Sequence, residues 1–359
     1  MLKRAIGTVT GIANDRGIAV EMEVDISGAN SRAVAYPPLS GPVAVGDRVL
    51  LNTTAVELGL GTGGCHYVIA NLSAEPIAEQ SEPGHIVKLR YTPMQHAVLS
   101  VEEEDSPHRA QIDGFKSLDG LPVIVGQLHS QIAPAAAGVK RLSRIPTRVA
   151  YVMTDGAALP IGFSRLVDEL KNAGLIDVTI TAGQAFGGDI EAVNIYTALI
   201  AAREVAAADA VIVCQGPGNV GTGTEFGYSA IEQGEIINAV NTLGGTAIAI
   251  PRISYADTRP RHQGLSHHTM TSLTKIALTP AVIALPMMDE TKLNSIIDQL
   301  ERRAATLKHK IRVLDGSPAI DELRNKGIKM SSMGRSYEDD PDFFLAAAAA
   351  GAAAAQLRR

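Results

Sequence analysis

AVIVCQGPGNVGTGTEFG, Ala210 to Gly227, is the stretch on which the fold reading turns. Val211, Ile212 and Val213 form a short continuous apolar run, as in a strand buried on both faces of a sheet. Gly216, Gly218, Gly221 and Gly223 follow, with Thr222 and Thr224 between them. Phe226, Ile231, Ile236 and Ile237 then lie along one helical stripe. Strand, glycine loop and helix in that order aim backbone N–H groups and a helix N-terminus at an anion. A tight turn that only lets helix and strand pack closely uses the same glycines.

Gly216, Gly218 and Gly221 also satisfy the dinucleotide pattern G-x-G-x-x-G. The acidic residue that should meet the ribose about twenty residues later is missing. The next strand, Thr246 to Ile250, ends instead in Pro251-Arg252, and an arginine there suits a phosphate. No particular cofactor follows from these residues.

Outward from this stretch, short apolar runs alternate with helical patterns. Strands are predicted at Pro122 to Val125, Arg148 to Met153, Asp177 to Thr181, Ala210 to Cys214, Thr246 to Ile250, Ala281 to Leu285 and Lys310 to Leu314. Helices are predicted at Gly162 to Asn172, Ile190 to Ala207 and Glu290 to Leu307, among others. Such alternation implies an open, doubly wound, mostly parallel Rossmann-like sheet. An eighth unit starting at Ile86 would suggest a closed barrel instead. His96 to Glu103 looks more like a strand than a helix, which favours the open sheet.

The first 80 residues or so read as a small β-barrel or sandwich, with strands near Ala5 to Val9, Ile18 to Val24, Val45 to Leu51 and Tyr67 to Ala70. Asn52-Thr53-Thr54 and Gly61-Thr62-Gly63-Gly64 have the composition of turns, with a polar site as the alternative. Ile86 to Tyr91 and Ala97 to Glu103 read as a hairpin, with a helix from Pro93 as the alternative. The polar, turn-rich Asp105 to Pro122 is the expected linker. The expected domains are therefore 1–112, 113–327 and a tail, 328–359. In the tail Asp340 and Pro341 open an alanine-rich helix that ends at Arg358-Arg359. Its small residues allow close approach by a second copy of the chain; covering its own domain is the other reading.

Composition narrows the function. The 359 residues are 46% hydrophobic and 19% charged, a globular mix. A net charge of −6 gives no support to a nucleic-acid partner. Two cysteines, Cys65 and Cys214, exclude a disulfide framework, and no signal-like or membrane-spanning run is visible. A cytoplasmic protein is expected.

In an open parallel sheet, ligands bind outside the carboxyl ends of the strands. The loops there carry His129, Asp155, Gln184, Asp189, Gln215, Arg252, Arg259, Arg261, His267 and His268. Asp155, Asp189, His129 and the His267-His268 pair are the candidate acid–base groups. Gln184, Gln215, Gly216, Gly218, Gly221, Thr222, Thr224, Arg252, Arg259 and Arg261 are the candidate ligand-binding residues. Ser266 is a plausible N-cap, and a histidine at a helix N-terminus tends to stay neutral. No HExxH or CxxC motif is present, so no metal site is assigned. The absence of G-x-S-x-G argues against a serine hydrolase, and Cys214 reads as core.

Several longer stretches carry a resemblance: LNTTAVELGLGTGG (Leu51 to Gly64), GHIVKLRYTP (Gly84 to Pro93), TDGAALP (Thr154 to Pro160), GQAFGGD (Gly183 to Asp189), QGPGNVGTGT (Gln215 to Thr224), RHQGLSHHT (Arg261 to Thr269) and MGRSYEDDPDFF (Met333 to Phe344). Through them the chain resembles a bacterial family catalogued as domain of unknown function 3866, over nearly its whole length. The resemblance implies no activity, cofactor or site residue.

The residues themselves point to an enzyme, hydrolase or transferase, acting on a small anionic, phosphorylated or nucleotide-like molecule. The alternative is a non-enzymatic binding or regulatory protein that uses the same pocket.

Overall fold

The computed structural model describes residues 2–60, 63–75 and 84–357. Gly61-Thr62 and Arg358-Arg359, on which two of the readings above rest, lie outside the described residues. The chain forms two units, Met1–Val98 and Leu99–Arg359.

In the first unit, β1 (Arg4–Asp15), β2 (Val20–Ile26), β3 (Ala29–Ala35), the helical turn α1 (Pro37–Ser40), β4 (Arg48–Asn52), the turn α2 (Thr54–Glu57) and β5 (His66–Asn71) follow in order. The strands close into a barrel, β1-β2-β3-β5-β4, because β1 pairs with both β2 and β4. Alternate side chains, among them Val9, Met22, Val24, Val49, Leu51 and Val68, fill it. The sequence reading lacked β3: its ANSRAVA half-polar run hides the strand. A hairpin of β6 (Ile86–Lys88) and β7 (His96–Val98) completes the unit, with shorter strands than expected and a turn at Pro93.

The second unit continues with α3 (Arg109–Asp113), β8 (Pro122–Val125), α4 (Ile132–Leu142), β9 (Val149–Thr154), α5 (Arg165–Asn172), β10 (Val178–Ala182), β11 (Ile190–Ala192), α6 (Ile195–Glu204) and β12 (Ala210–Gln215). Next come α7 (Glu232–Thr242), β13 (Thr246–Ala249), a ribbon of β14 (Ile253–Ser254) and β15 (Gly264–Leu265), α8 (His267–Thr271), β16 (Val282–Pro286), α9 (Glu290–Arg302), β17 (Lys310–Leu314), α10 (Ser317–Asn325) and α11 (Pro341–Leu357). Eight strands form one parallel sheet in the order β11-β10-β9-β12-β8-β13-β16-β17. All seven predicted strands are in it. Successive residues face opposite cores: Ile124 and Ile212 join α4 and α11, while Val123, Val125, Val211 and Val213 join α6, α7 and α9.

The neighbours β8 and β12 feed helices on opposite faces, α4 and α7. Their carboxyl ends therefore form a topological switch point, the place where open α/β sheets bind ligands.

One reading is corrected. Ile190–Ala192 is the edge strand β11, not helix, and α6 begins only after Asn194, whose side chain accepts the Tyr196 and Thr197 N–H groups. The first unit ends at Val98, and residues 100–113 pack within the second: Val101 N–H donates to Glu191 O, and α3 packs on α6. The tail is no separate domain. Phe343 to Ala355 are buried, except Leu345, against α4 and the sheet, so α11 covers its own unit.

Candidate functional site

At the switch point, Gln215 Nε2 donates to Gln127 O at 3.1 Å, and Gln215 Oε1 is buried without a partner. His129 places Nε2 2.6 Å from Ser164 Oγ and Nδ1 3.3 Å from both Gln215 O and the Tyr151 hydroxyl. Burial lowers its pKa to about 4, so the ring is neutral with both nitrogens engaged. His129 therefore ties the N-cap of α5 to the end of β12, which is a positioning role rather than the catalytic one expected.

Beside it lies a group the sequence reading missed. Glu232, the first residue of α7, accepts the Thr154 hydroxyl at 2.6 Å. Burial, with the Asp155 and Glu235 charges, raises its pKa to about 7. Asp155 is exposed and its Oδ2 accepts the Gln184 N–H at 2.9 Å, so these two candidates share one contact. Asp189 goes elsewhere. It is ion-paired with Lys171 at 2.7 Å and hydrogen-bonded to Thr179, near the amino end of β10, which is a structural role.

The glycine loop is longer than the dinucleotide pattern needs. The helix does not follow Gly221 but begins at Glu232, and Phe226 is exposed on the loop rather than in the helical stripe. Acidic Glu232 and Glu235 occupy the first helical turn, so its N-terminus does not present the anion cradle expected. Gly216 is a packing glycine: a Cβ there would strike Ala158 O, and Ala158 N–H donates to Pro217 O at 3.0 Å. Thr222 and Thr224 bond each other, 2.9 Å apart, and brace the Gly227 backbone. The far half of the loop reaches the next strand's loop. A Cβ on Gly221 would lie 3.4 Å from His268 Cε1, and one on Gly223 3.6 Å from Arg261 Cζ.

Gly218 has φ of 105° with open space around its Cβ position. Its constraint is therefore conformational, and Gly218→Val is expected to destabilise the fold rather than only block a ligand. Gly218→Ala is expected to cost about 1 kcal/mol, measured by urea unfolding. An unchanged midpoint would show that the loop relaxes freely.

The loop after β13 carries the rest. Arg252 is buried, donates to Asp257 Oδ2 at 3.2 Å and has an unpartnered Nε; burial lowers its pKa to about 10. Arg259 grips both Asp257 oxygens, at 2.9 and 2.7 Å, and holds that carboxylate well below its usual range. Arg261 is exposed and has no ion-pair partner among the described residues.

His267 and His268 open α8 behind Ser266, whose Oγ caps the His268 N–H as expected. His262 joins them, a second residue the sequence reading did not assign. One nitrogen from each of the three rings lies within 4.8 Å of the others. His262 Nδ1 is 2.8 Å from Ser266 Oγ, and His268 stacks on Tyr228 with centroids 3.8 Å apart. The Tyr228 hydroxyl donates to His268 O and meets Ser272 Oγ. His267 Nε2 and His268 Nε2 are buried without partners. Burial and the nearby arginines lower all three imidazole pKa values, His262 and His268 to about 3. Thr269 links this cluster to the switch point, donating to Gln127 Oε1 at 3.0 Å and accepting the Arg252 N–H at 2.9 Å.

The structure thus brings Gly221, Gly223, Arg261, His267 and His268 together, and places Gln215, Asp155 and Gln184 around Glu232. A cleft of about 520 Å³ lies elsewhere, between Leu142, Leu314, Pro318 and Ala355, and no candidate residue lines it. No helix among the described residues is long and apolar enough to cross a membrane.

The family described as Protein of unknown function (DUF3866) matches residues 32–351, from the third barrel strand through nearly all of the second unit. No curated protein matches the chain.

Proposed function

The chain belongs to the DUF3866 family, and we propose that it is an enzyme of the hydrolase or transferase class. Its substrate would be a small anionic molecule, phosphorylated or nucleotide-like, bound at the carboxyl edge of the parallel sheet. One observation carries the reading: loops from two separate strands meet there, and they leave a free guanidinium and two unpaired imidazole nitrogens in the same place. Elsewhere the arginines of this region are spent on Asp257. Arg261 is not, and a guanidinium suits a phosphate or carboxylate. Neutral imidazoles beside it can hydrogen-bond the bound molecule without adding charge. Glu232, with its pKa near 7, offers a further proton donor or acceptor at the switch point. Two free, buried thiols suit the reducing cytosol, where we place the protein.

The test pairs binding with turnover. Inorganic phosphate and pyrophosphate are titrated into wild type and Arg261→Ala by calorimetry, and a panel of phosphate esters is screened for hydrolysis. Arg261→Ala is expected to bind anions at least about tenfold more weakly with an unchanged melting temperature, since the residue is exposed. Equal binding by both proteins would overturn the anion site. Anion binding without turnover of any ester would favour the binding-protein alternative.

A further inference from the structure

Nine histidines occur in the chain, and some of the buried ones are fully engaged by the fold. His309 is spent on the fold: Nδ1 accepts the Ala281 N–H at 3.0 Å and Nε2 donates to Leu273 O at 2.8 Å. His129 likewise has both nitrogens engaged. The loop after β13 differs from these two. There, His267 and His268 bury an Nε2 that meets no donor or acceptor, although a lone buried polar atom is costly. Two such atoms side by side, with a third imidazole in reach, are what a missing shared partner leaves behind.

We propose that His262, His267 and His268 bind one divalent transition-metal ion of the zinc class, with a coordination position left open toward Arg261. The proposal rests on the histidine geometry alone and stands whether or not the anion reading does.

The donor set fits. Zinc takes imidazole nitrogens at about 2.0–2.1 Å, so three ligands on one tetrahedral ion sit about 3.4 Å apart. The three nitrogens here are already within 4.8 Å of one another, and small side-chain rotations close the set. His267, only partly buried, has the freedom to make that adjustment. The other two rings are held. His262 is buried with Nδ1 2.8 Å from Ser266 Oγ, and a ring that donates there keeps its Nε2 lone pair for a metal, the usual outer support of a histidine ligand. His268 is fixed by the Tyr228 stack.

Charge is compatible as well. Arg252 and Arg259 share the single Asp257 carboxylate, which offsets part of their charge, and an anionic fourth ligand beside Arg261 would offset the cation itself. Gly221 leaves the His268 edge uncovered, since a Cβ there would approach Nε2 to 3.9 Å. Three protein ligands plus an open position is the arrangement of catalytic rather than structural zinc. A water bound there would ionise near neutral pH, beside the arginine that holds the anion.

The full chain is stripped with chelator and titrated with Co²⁺, then separately loaded with Zn²⁺ for X-ray absorption. Wild type is expected to take up one equivalent of Co²⁺ with the visible absorption of a four- or five-coordinate site. His267→Ala and His268→Gln are expected to weaken uptake roughly 100-fold, and His108→Ala, outside the cluster, to leave it unchanged. The zinc spectrum should show three imidazole ligands, a readout that needs no variant. A spectrum of free aqueous Co²⁺, or zinc without histidine ligands, overturns the proposal, as does uptake unchanged in both cluster variants. Phosphate binding measured on the metal-free protein separates the two readings: if it persists while Co²⁺ fails to bind, only the metal site is refuted.

Discussion

Gly351→Val is expected to abolish cooperative folding of the second unit. Gly351 lies in α11 where that helix crosses α4 at Gly138. A Cβ on Gly351 would strike Ala135 O and lie 2.8 Å from Gly138 Cα and 2.9 Å from Val139 N. A Cβ on Gly138 would lie 2.6 Å from Ala348 O. The obstacles are backbone atoms of two buried helices, which cannot swing aside as a flexible side chain does. Even alanine is expected to destabilise. Its helix propensity favours it over glycine by about 1 kcal/mol, but parting two helices in a filled core costs about 1–3 kcal/mol per overpacked group, and more when the backbone must shift. Thermal unfolding followed by circular dichroism should show Gly351→Ala melting well below wild type and Gly351→Val without the transition of this unit. If Gly351→Ala melts higher, propensity has won, and the crossing is looser than these distances imply.

The same crossing shows which parts of the fold are legible in sequence. Ala346 to Ala355 announces a helix and small residues announce a close approach, but neither says against what. The partner is α4, whose small face at Ala135 and Gly138 lies some two hundred residues earlier. Strands such as Ala210–Gln215 are legible because burial on both faces leaves an uninterrupted apolar run. Ile190–Ala192 is too short for that signal, and its neighbours in α6 share its apolar composition, so the edge strand dissolved into a helical pattern. Ala29–Ala35 failed for the opposite reason, since half of it faces solvent.

The site was legible by location more than by role. Carboxyl-end loops collect polar residues, and Arg261, His267 and His268 do meet the glycine loop. Asp189 sits on such a loop too, yet the chain turns back beside β10 and hands its carboxylate to Lys171 and Thr179. His262 stands five residues before His267, a spacing that matches no helical ligand motif. A ribbon, β14 with β15, brings it back onto the pair. Pairing of that kind is long-range and leaves no local spacing to read.

Glu232 was hidden differently: an acidic residue in the first turn of a helix is ordinary capping composition. Its surroundings make it unusual, and they predict a pH dependence with a definite sign. In the unfolded chain the carboxyl ionises near 4.5, whereas burial holds it protonated up to about 7 in the fold. Between those values the folded state keeps a proton that the unfolded state has lost. Stability from this group is therefore complete below about pH 4.5 and declines as pH rises through about 7. Glu232→Gln keeps an oxygen for the Thr154 hydroxyl and removes the ionisation. At pH 4 the two proteins should be close in stability. By pH 8 the variant should be the more stable by up to about 3 kcal/mol, the equivalent of the pKa displacement. Asp155→Asn, which removes a neighbouring negative charge, should move the decline of the wild-type curve to lower pH. Urea midpoints at pH 4, 6 and 8 read all three curves. Parallel curves for wild type and Glu232→Gln would mean that the carboxylate is ionised throughout, and would remove Glu232 as the group poised to exchange a proton at the switch point.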